Sequence, residues 1–171
     1  MASPEVPIDV DPRTGIWSTD GLPMIYMPRH FFVNYYSAME TALGADRHNA
    51  LLYAASHKSA HQWAEAEART HGLRDVAVFR HYLHRLSQRG WGLFTIEEID
   101  LAAPSARVRV DNSAYALQRG KTGRRECAMF AGSLAGCLEW AAADAGKPGQ
   151  VTARETQCMS EGHDHCLFVV D

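Results

Sequence analysis

Three cysteines in the C-terminal part of the chain have the spacing of a metal site. Cys158 and Cys166 flank a short turn that carries His163 and His165, and Cys127 opens an apolar helical segment upstream. Directly opposed residues of an antiparallel hairpin have Cβ atoms about 4.5 to 5.5 Å apart, which suits two thiolates on one tetrahedral zinc. The first turn of a helix favours a third thiolate. The pattern therefore predicts zinc, and buried reduced thiols or a Cys158–Cys166 disulfide are the alternatives.

The fourth ligand of such a site stays open on spacing alone, with Glu155, His163 and His165 as candidates. Strict alternation places Glu155 and Cys158 on opposite faces of an ideal strand. A carboxylate ligand therefore requires the strand to twist or bulge near Gln157.

The elements that must position these residues follow from hydrophobic period and turn residues. The sequence predicts a hairpin over 16–27 around an Asp-Gly turn, helices over 28–44, 46–72 and 75–88, strands over 94–101 and 106–110, a helix over 127–140 and a final hairpin of 151–157 and 166–170. This order predicts an α+β fold, with helices packed on an antiparallel sheet. Asp46 is the expected N-cap of the second helix. Gly132 and Gly136 lie one turn apart and predict a close neighbour, expected to be the sheet.

Composition bounds the class of protein. The 171 residues, 46% of them hydrophobic, suit one domain over 14–171 behind an irregular leader over 1–13. The net charge of −3 and the lack of a basic patch argue against nucleic acid as a partner. No secretory signal and no apolar run of about 20 residues is present, so we expect a cytoplasmic protein without a membrane span, in which thiols stay reduced.

Three segments of the C-terminal half resemble the 4-vinyl reductase-like domain, a small-molecule-binding module. They are Val108-Arg-Val-Asp-Asn-Ser-Ala-Tyr-Ala116, Cys127-x4-Gly132-x3-Gly136 and Arg154-Glu155-x2-Cys158-x3-Gly162-x3-Cys166. The N-terminal half, with Gly15-Ile16-Trp17, Met24 and Leu43-Gly44, is similar to the aromatic-sensing domains of phenol- and xylene-responsive bacterial activators.

This resemblance implies a structural zinc held by Cys127, Glu155, Cys158 and Cys166, and so favours Glu155 as the fourth ligand. It also implies helices over an antiparallel sheet, a homodimer, and a ligand cavity beside the metal. Aromatic side chains are expected to line that cavity, and the candidates are Trp91, Phe94, Tyr115 and Phe130.

The expected function is that of a zinc-stabilised protein that binds a small hydrophobic or aromatic molecule, as a sensor or accessory in a bacterial catabolic or regulatory pathway. The ATPase and DNA-binding modules of the activators are not seen in these residues, so we expect output through a protein partner. The alternative is an enzyme, or an enzyme accessory, that reduces a tetrapyrrole vinyl group or another unsaturated substrate. No nucleotide-binding glycine motif or nucleophile elbow supports an enzyme, and no catalytic residue is predicted.

Overall fold

Two antiparallel sheets and five α-helices form residues 6–171, the part of the chain that the computed structural model describes. The strands are β1 (Asp9–Val10), β2 (Trp17–Thr19), β3 (Leu22–Met24), β4 (Leu93–Asp100), β5 (Ser105–Asp111), β6 (Ala153–Gln157) and β7 (Cys166–Val170). The helices are α1 (Arg29–Leu43), α2 (Ala45–His71), α3 (Val76–Gln88), α4 (Ala114–Arg119) and α5 (Ala128–Asp144). The predicted α+β class is confirmed. None of these helices is long and apolar enough to span a membrane.

The N-terminal hairpin turns at Asp20 and Gly21, as predicted. Both residues have positive φ, 53° and 77°, which is the backbone of the tight turns that join right-twisted strands. β2 pairs with β3 across this turn, and β1 adds to the other edge of β2 to give the order β1-β2-β3. The predicted irregular leader over 1–13 therefore includes a short strand, and its residues 1–5 lie outside the described residues.

Helices α1, α2 and α3 follow the predicted spans closely. Pro28 is the N-cap of α1, and Gly44, at φ 79°, both ends α1 and caps α2. The expectation that Asp46 caps α2 was wrong, because the glycine already breaks the chain and leaves Asp46 in the first helical turn. There its carboxylate still lies at the positive end of the helix dipole. Gly72 ends α2 in the left-handed conformation.

Helix α5 packs directly on α2, and its two glycines permit that approach. A Cβ at Gly132 would meet the carbonyl oxygen of Tyr53, and one at Gly136 would meet the carbonyl oxygen of His57. The predicted close neighbour therefore exists, but the expectation that it is the sheet was wrong. A helix backbone and a sheet place the same demand for small residues on α5, so the sequence pattern does not distinguish them.

The main sheet has the order β4-β5-β7-β6, with every neighbouring pair antiparallel. Helix α5 contacts α2 and α3 as well as strands β6 and β7, so it lies between the other helices and the sheet. The short helix α4 was not predicted. Its signal is Ser113, whose hydroxyl accepts a hydrogen bond from the amide of Ala116 in the N-cap position.

Candidate metal centre and apolar cleft

Four side chains from three separate segments meet beneath the C-terminal hairpin. Cys127 is the N-cap of α5, Glu155 lies in β6, Cys158 follows β6, and Cys166 begins β7. All three cysteines are 0% exposed and Glu155 is 7% exposed. One ligand atom from each of the four lies within 4.8 Å of the others, so this Cys3Glu cluster could bind a metal ion. The sequence pattern thus named residues that the fold does bring together.

The sulfur atoms are spaced as separate thiols. Cys166 Sγ lies 3.7 Å from Cys158 Sγ and 4.0 Å from Cys127 Sγ. All four cysteines of the chain are free, so the disulfide alternative does not hold. Cys137 is fully buried in α5 and lies outside the cluster, as expected of a core residue.

Main-chain and hydroxyl donors surround the sulfurs. The amide of Met159 donates to Cys166 Sγ and that of Ser160 donates to Cys158 Sγ, both at 3.4 Å. The hydroxyl of Ser113 lies 3.2 Å from Cys127 Sγ. Donors of this kind stabilise thiolates, the form in which cysteine binds metals.

Glu155 reaches the cysteines because β6 is bulged. The pairing of β6 with β7 shifts register between Glu155 and Gln157, which is the irregularity that a carboxylate ligand required. Glu155 Oε2 accepts a hydrogen bond of 3.0 Å from the amide of Cys127. Its Oε1 is buried and has no hydrogen-bond partner, so one carboxylate oxygen is left facing a dehydrated environment.

The two histidine candidates do not join this group. His165 Nδ1 lies 2.6 Å from Asp164, and its Nε2 lies 3.0 Å from the side-chain amide of Gln157. Neither His163 nor His165 belongs to a possible metal-binding group of the described residues.

The ionisation of the cluster shows why a cation suits it. Burial, with the Cys158 sulfur as the next cause, raises the pKa of Glu155 to about 8. Hydrogen bonds with Cys158 and Cys166, together with burial, raise the pKa of Cys127 well above its usual value. The pKa of Cys158 is lowered because its sulfur accepts hydrogen bonds from Cys127 and Cys166. Without a cation the cluster therefore concentrates its charge on one group and resists further ionisation.

An apolar cleft of about 360 Å³ lies between the N-terminal hairpin and the first turn of α4. The rings that line it come from every part of the N-terminal half and from α4: Trp17, Tyr26, Phe32, Trp91 and Tyr115. Arg29, Gln88 and Arg89 supply polar groups at its wall. A cleft with this mixture of aromatic surface and a few polar groups is typical of a small-molecule site.

Two of the four predicted ligand contacts, Trp91 and Tyr115, line this cleft. The other two lie behind them in the core. Phe130 is fully buried and packs edge to face on Tyr115 at 5.3 Å between ring centroids, and Phe94 packs on Phe130 at 5.1 Å.

The sequence reasoning missed the wall that the hairpin contributes, including Trp17 and Met24. Its signal was the apolar run after the Asp-Gly turn, too long and too exposed to be explained by hairpin pairing alone. Tyr26 is 85% exposed and Ile25 is 81% exposed.

Comparison with known families follows the same division of the chain. Residues 2–97 match the family described as Domain of unknown function (DUF5943), and residues 106–171 match the 4-vinyl reductase-like domain. The chain belongs to the DUF5943 family and carries a C-terminal 4-vinyl reductase-like domain. All four residues of the Cys3Glu cluster lie in that C-terminal domain, and the cleft joins the DUF5943 part to its residues Ala114 and Tyr115. A comparison with curated protein sequences gave no significant match.

Solved structures share the fold at low sequence identity. The phenol-responsive sensory domain of the transcription activator PoxR, solved with phenol, aligns with a TM-score of 0.78 and 18% identity over 95% of this chain and 83% of that one. A vinyl-4-reductase family protein from Methanocaldococcus jannaschii aligns with a TM-score of 0.57 and 17% identity over 86% of this chain and 83% of its own. A trafficking protein particle complex subunit 3 from Naegleria fowleri, covalently bound to palmitic acid, gives 0.53 and 14%, over 83% of this chain and 93% of that one. The resemblance inferred from the sequence is confirmed at the level of the fold.

Proposed function

We propose that this protein is a small-molecule sensor or accessory protein whose apolar cleft binds a small hydrophobic or aromatic ligand, and whose C-terminal domain is held together by a structural zinc. The cleft lined by Trp17, Trp91 and Tyr115 carries the ligand proposal. The buried Cys3Glu cluster carries the zinc proposal.

The donor set and spacing of the cluster suit zinc. Zinc prefers thiolate and imidazole ligands in tetrahedral sites, and Zn–S bonds of about 2.3 Å place two sulfurs about 3.8 Å apart. The sulfur separations of 3.7 and 4.0 Å bracket that value. The carboxylate oxygen of Glu155 that has no hydrogen-bond partner gives a fourth donor. Four protein ligands leave no position for water, so the proposed role is structural rather than catalytic.

The size and lining of the cleft set the ligand class. A cleft of about 360 Å³ is at the small end of ligand sites, which commonly span about 300 to 1,000 Å³. A single substituted aromatic ring fits such a volume and can stack on Trp91 or Tyr115. The PoxR sensory domain, which shares the fold, is described as phenol-responsive and was solved with phenol, so phenol is the first compound to test.

The decisive experiment measures metal and ligand on the purified chain. We expect about one zinc per chain from the Cys3Glu cluster, lost in Cys166→Ala. We also expect saturable heat of binding with phenol or a related ring compound, weakened at least about tenfold in Trp91→Ala because the stacking surface is lost. Trp140→Ala is the matched control, since Trp140 lies on α5 and does not line the cleft. Metal-free native protein would end the zinc proposal, and equal binding by Trp91→Ala would end the assignment of the cleft.

The proposal includes a homodimer in the bacterial cytoplasm that passes its signal to a protein partner. Large apolar side chains beside the cleft support a self-contact, since Ile25, Tyr26 and Phe31 are each at least 60% exposed. Their exposure is costly for an isolated chain. Light scattering during size-exclusion chromatography tests the homodimer, and a monomer at micromolar concentration would exclude it.

The enzyme alternative, reduction of a tetrapyrrole vinyl group or another unsaturated substrate, remains a prediction. It requires turnover that depends on this chain and on an added electron donor. Absence of turnover with a ligand that binds the cleft would leave the sensor proposal in place.

A further inference from the structure

A second group of ligating side chains lies near the C-terminal end of α2, apart from the Cys3Glu cluster. Glu67 and His71 are one turn apart on α2, and His81 reaches them from α3. One ligand atom from each lies within 4.8 Å of the others. The geometry points to a site for a first-row divalent metal ion, formed by two imidazoles and one carboxylate.

The imidazoles converge on one atom. His81 Nε2 lies 2.8 Å and His71 Nε2 lies 3.3 Å from the same carboxylate oxygen, Glu67 Oε2. Ligands bound at about 2.0 to 2.1 Å around a tetrahedral ion are about 3.3 Å apart. The His71 contact already has that separation, and the His81 contact needs a shift of about half an ångström, which side-chain rotation can supply.

One oxygen of the carboxylate lacks a partner. Glu67 is 0% exposed, and its second oxygen, Oε1, is buried without a hydrogen-bond partner. A buried carboxylate with one unsatisfied oxygen is costly, and an ion bound to it removes that cost. The nearby guanidinium of Arg85 instead donates to Asp20 Oδ2 at 2.8 Å.

Asp20 places a further carboxylate at the edge of the site. It occupies the turn of the N-terminal hairpin, and its Oδ1 lies 3.5 Å from His71 Nε2. The three main ligands come from two packed helices and so are held rigidly, while Asp20 would tie the hairpin to them. His71 is about one-third exposed, so an ion can enter from solvent without unfolding the core.

This chemistry differs from that of the Cys3Glu cluster. Nitrogen and oxygen ligands without sulfur suit Zn²⁺, Fe²⁺, Co²⁺ and Ni²⁺, and three protein ligands leave positions for Asp20, water or another small molecule. The spacing Glu67-x3-His71 on one helix face was the sequence signal, and the partner His81 could be assigned only when α3 packed on α2.

The test is a titration of the intact protein with Co²⁺, whose spectrum distinguishes the two sites. Cobalt bound to thiolates gives an intense sulfur-to-metal charge-transfer band in the near ultraviolet, whereas cobalt bound to imidazole and carboxylate gives weak visible bands alone. We expect about one equivalent per chain with the sulfur-free spectrum, in addition to any cobalt in the Cys3Glu cluster. The affinity should fall at least about tenfold in His71→Ala and in Glu67→Gln.

His84→Ala is the matched control, because His84 is exposed on the same helix as His81 and belongs to no ligating group of the described residues. It should bind cobalt as the wild type does. The proposal is overturned if the wild-type protein shows only the sulfur spectrum, or if His71→Ala keeps the sulfur-free spectrum at full affinity. The wild-type titration decides the matter even if Glu67→Gln does not fold.

Discussion

Replacing Gly136 with alanine tests the direct packing of α5 on α2. The added Cβ would meet the carbonyl oxygen, carbon and Cα of His57, all of them backbone atoms inside a helix. Because such atoms cannot rotate away as a flexible side chain can, the two helices must separate by on the order of 1 Å. Overpacking of this kind costs about 1 to 3 kcal/mol where a core relaxes, and more where backbone must move.

Alanine also gains about 1 kcal/mol in helix propensity over glycine, which offsets part of the loss. We therefore expect Gly136→Ala to lower the free energy of unfolding by at least about 2 kcal/mol. For a chain of this size that corresponds to a melting temperature lower by roughly 4 to 8 °C. The loss should grow if Gly132 is replaced as well, since its Cβ would meet the carbonyl of Tyr53 one turn away.

The assay is thermal and urea unfolding followed by circular dichroism, with metal concentration held constant because bound metal shifts apparent stability. Gly149→Ala is the control. It makes the same chemical change where an added Cβ would meet nothing within 4 Å, so its stability should stay within about 1 kcal/mol of the wild type. A Gly136→Ala protein as stable as the wild type, or more stable, would refute the close contact between α2 and α5.

Three further outcomes follow from buried groups. Acid should weaken zinc binding at least about tenfold per pH unit from pH 8 to pH 6 in chelator competition, because the pKa of Glu155 is raised to about 8 and binding must displace its proton; a flat profile would contradict this. Glu126→Gln should cost about 3 kcal/mol in urea unfolding, because the nearly buried Arg119 loses the carboxylate 2.9 Å away; Arg154→Gln, at an exposed ion pair, should cost less than about 1 kcal/mol, and equal losses would argue against this reasoning. Cys137→Ala should cost about 1 kcal/mol and leave the metal content unchanged, and a loss of metal would place Cys137 in the site.

Much of the fold was predictable because its signals are local. The Asp20-Gly21 turn requires positive φ at two successive residues, and Gly44 and Gly72 end helices for the same conformational reason. Helix α4 escaped because six residues give too little periodicity, although Ser113 supplied an N-cap signal. Local chemistry therefore identifies elements well when they are long or begin and end at a special backbone conformation.

The metal cluster was predictable in membership but not in geometry. The spacing of Cys158 and Cys166 around a turn is a local feature, and so is the position of Cys127 before an apolar helix. Whether Glu155 or a histidine completes the set depends on a bulge, and a bulge is set by how β6 pairs with β7. The resemblance to the 4-vinyl reductase-like domain supplied that ligand before the pairing was known.

The sequence by itself determined the elements, the cysteine set and the need for a close neighbour at Gly132 and Gly136, because each depends on a few adjacent residues. Only the tertiary structure decided that this neighbour is α2, that the hairpin forms a wall of the cleft, and that His81 meets Glu67 and His71. The physical reason is the same in all three cases. Side-chain pattern states which surface must be covered, whereas the covering partner is chosen by the packing of segments far apart in the chain.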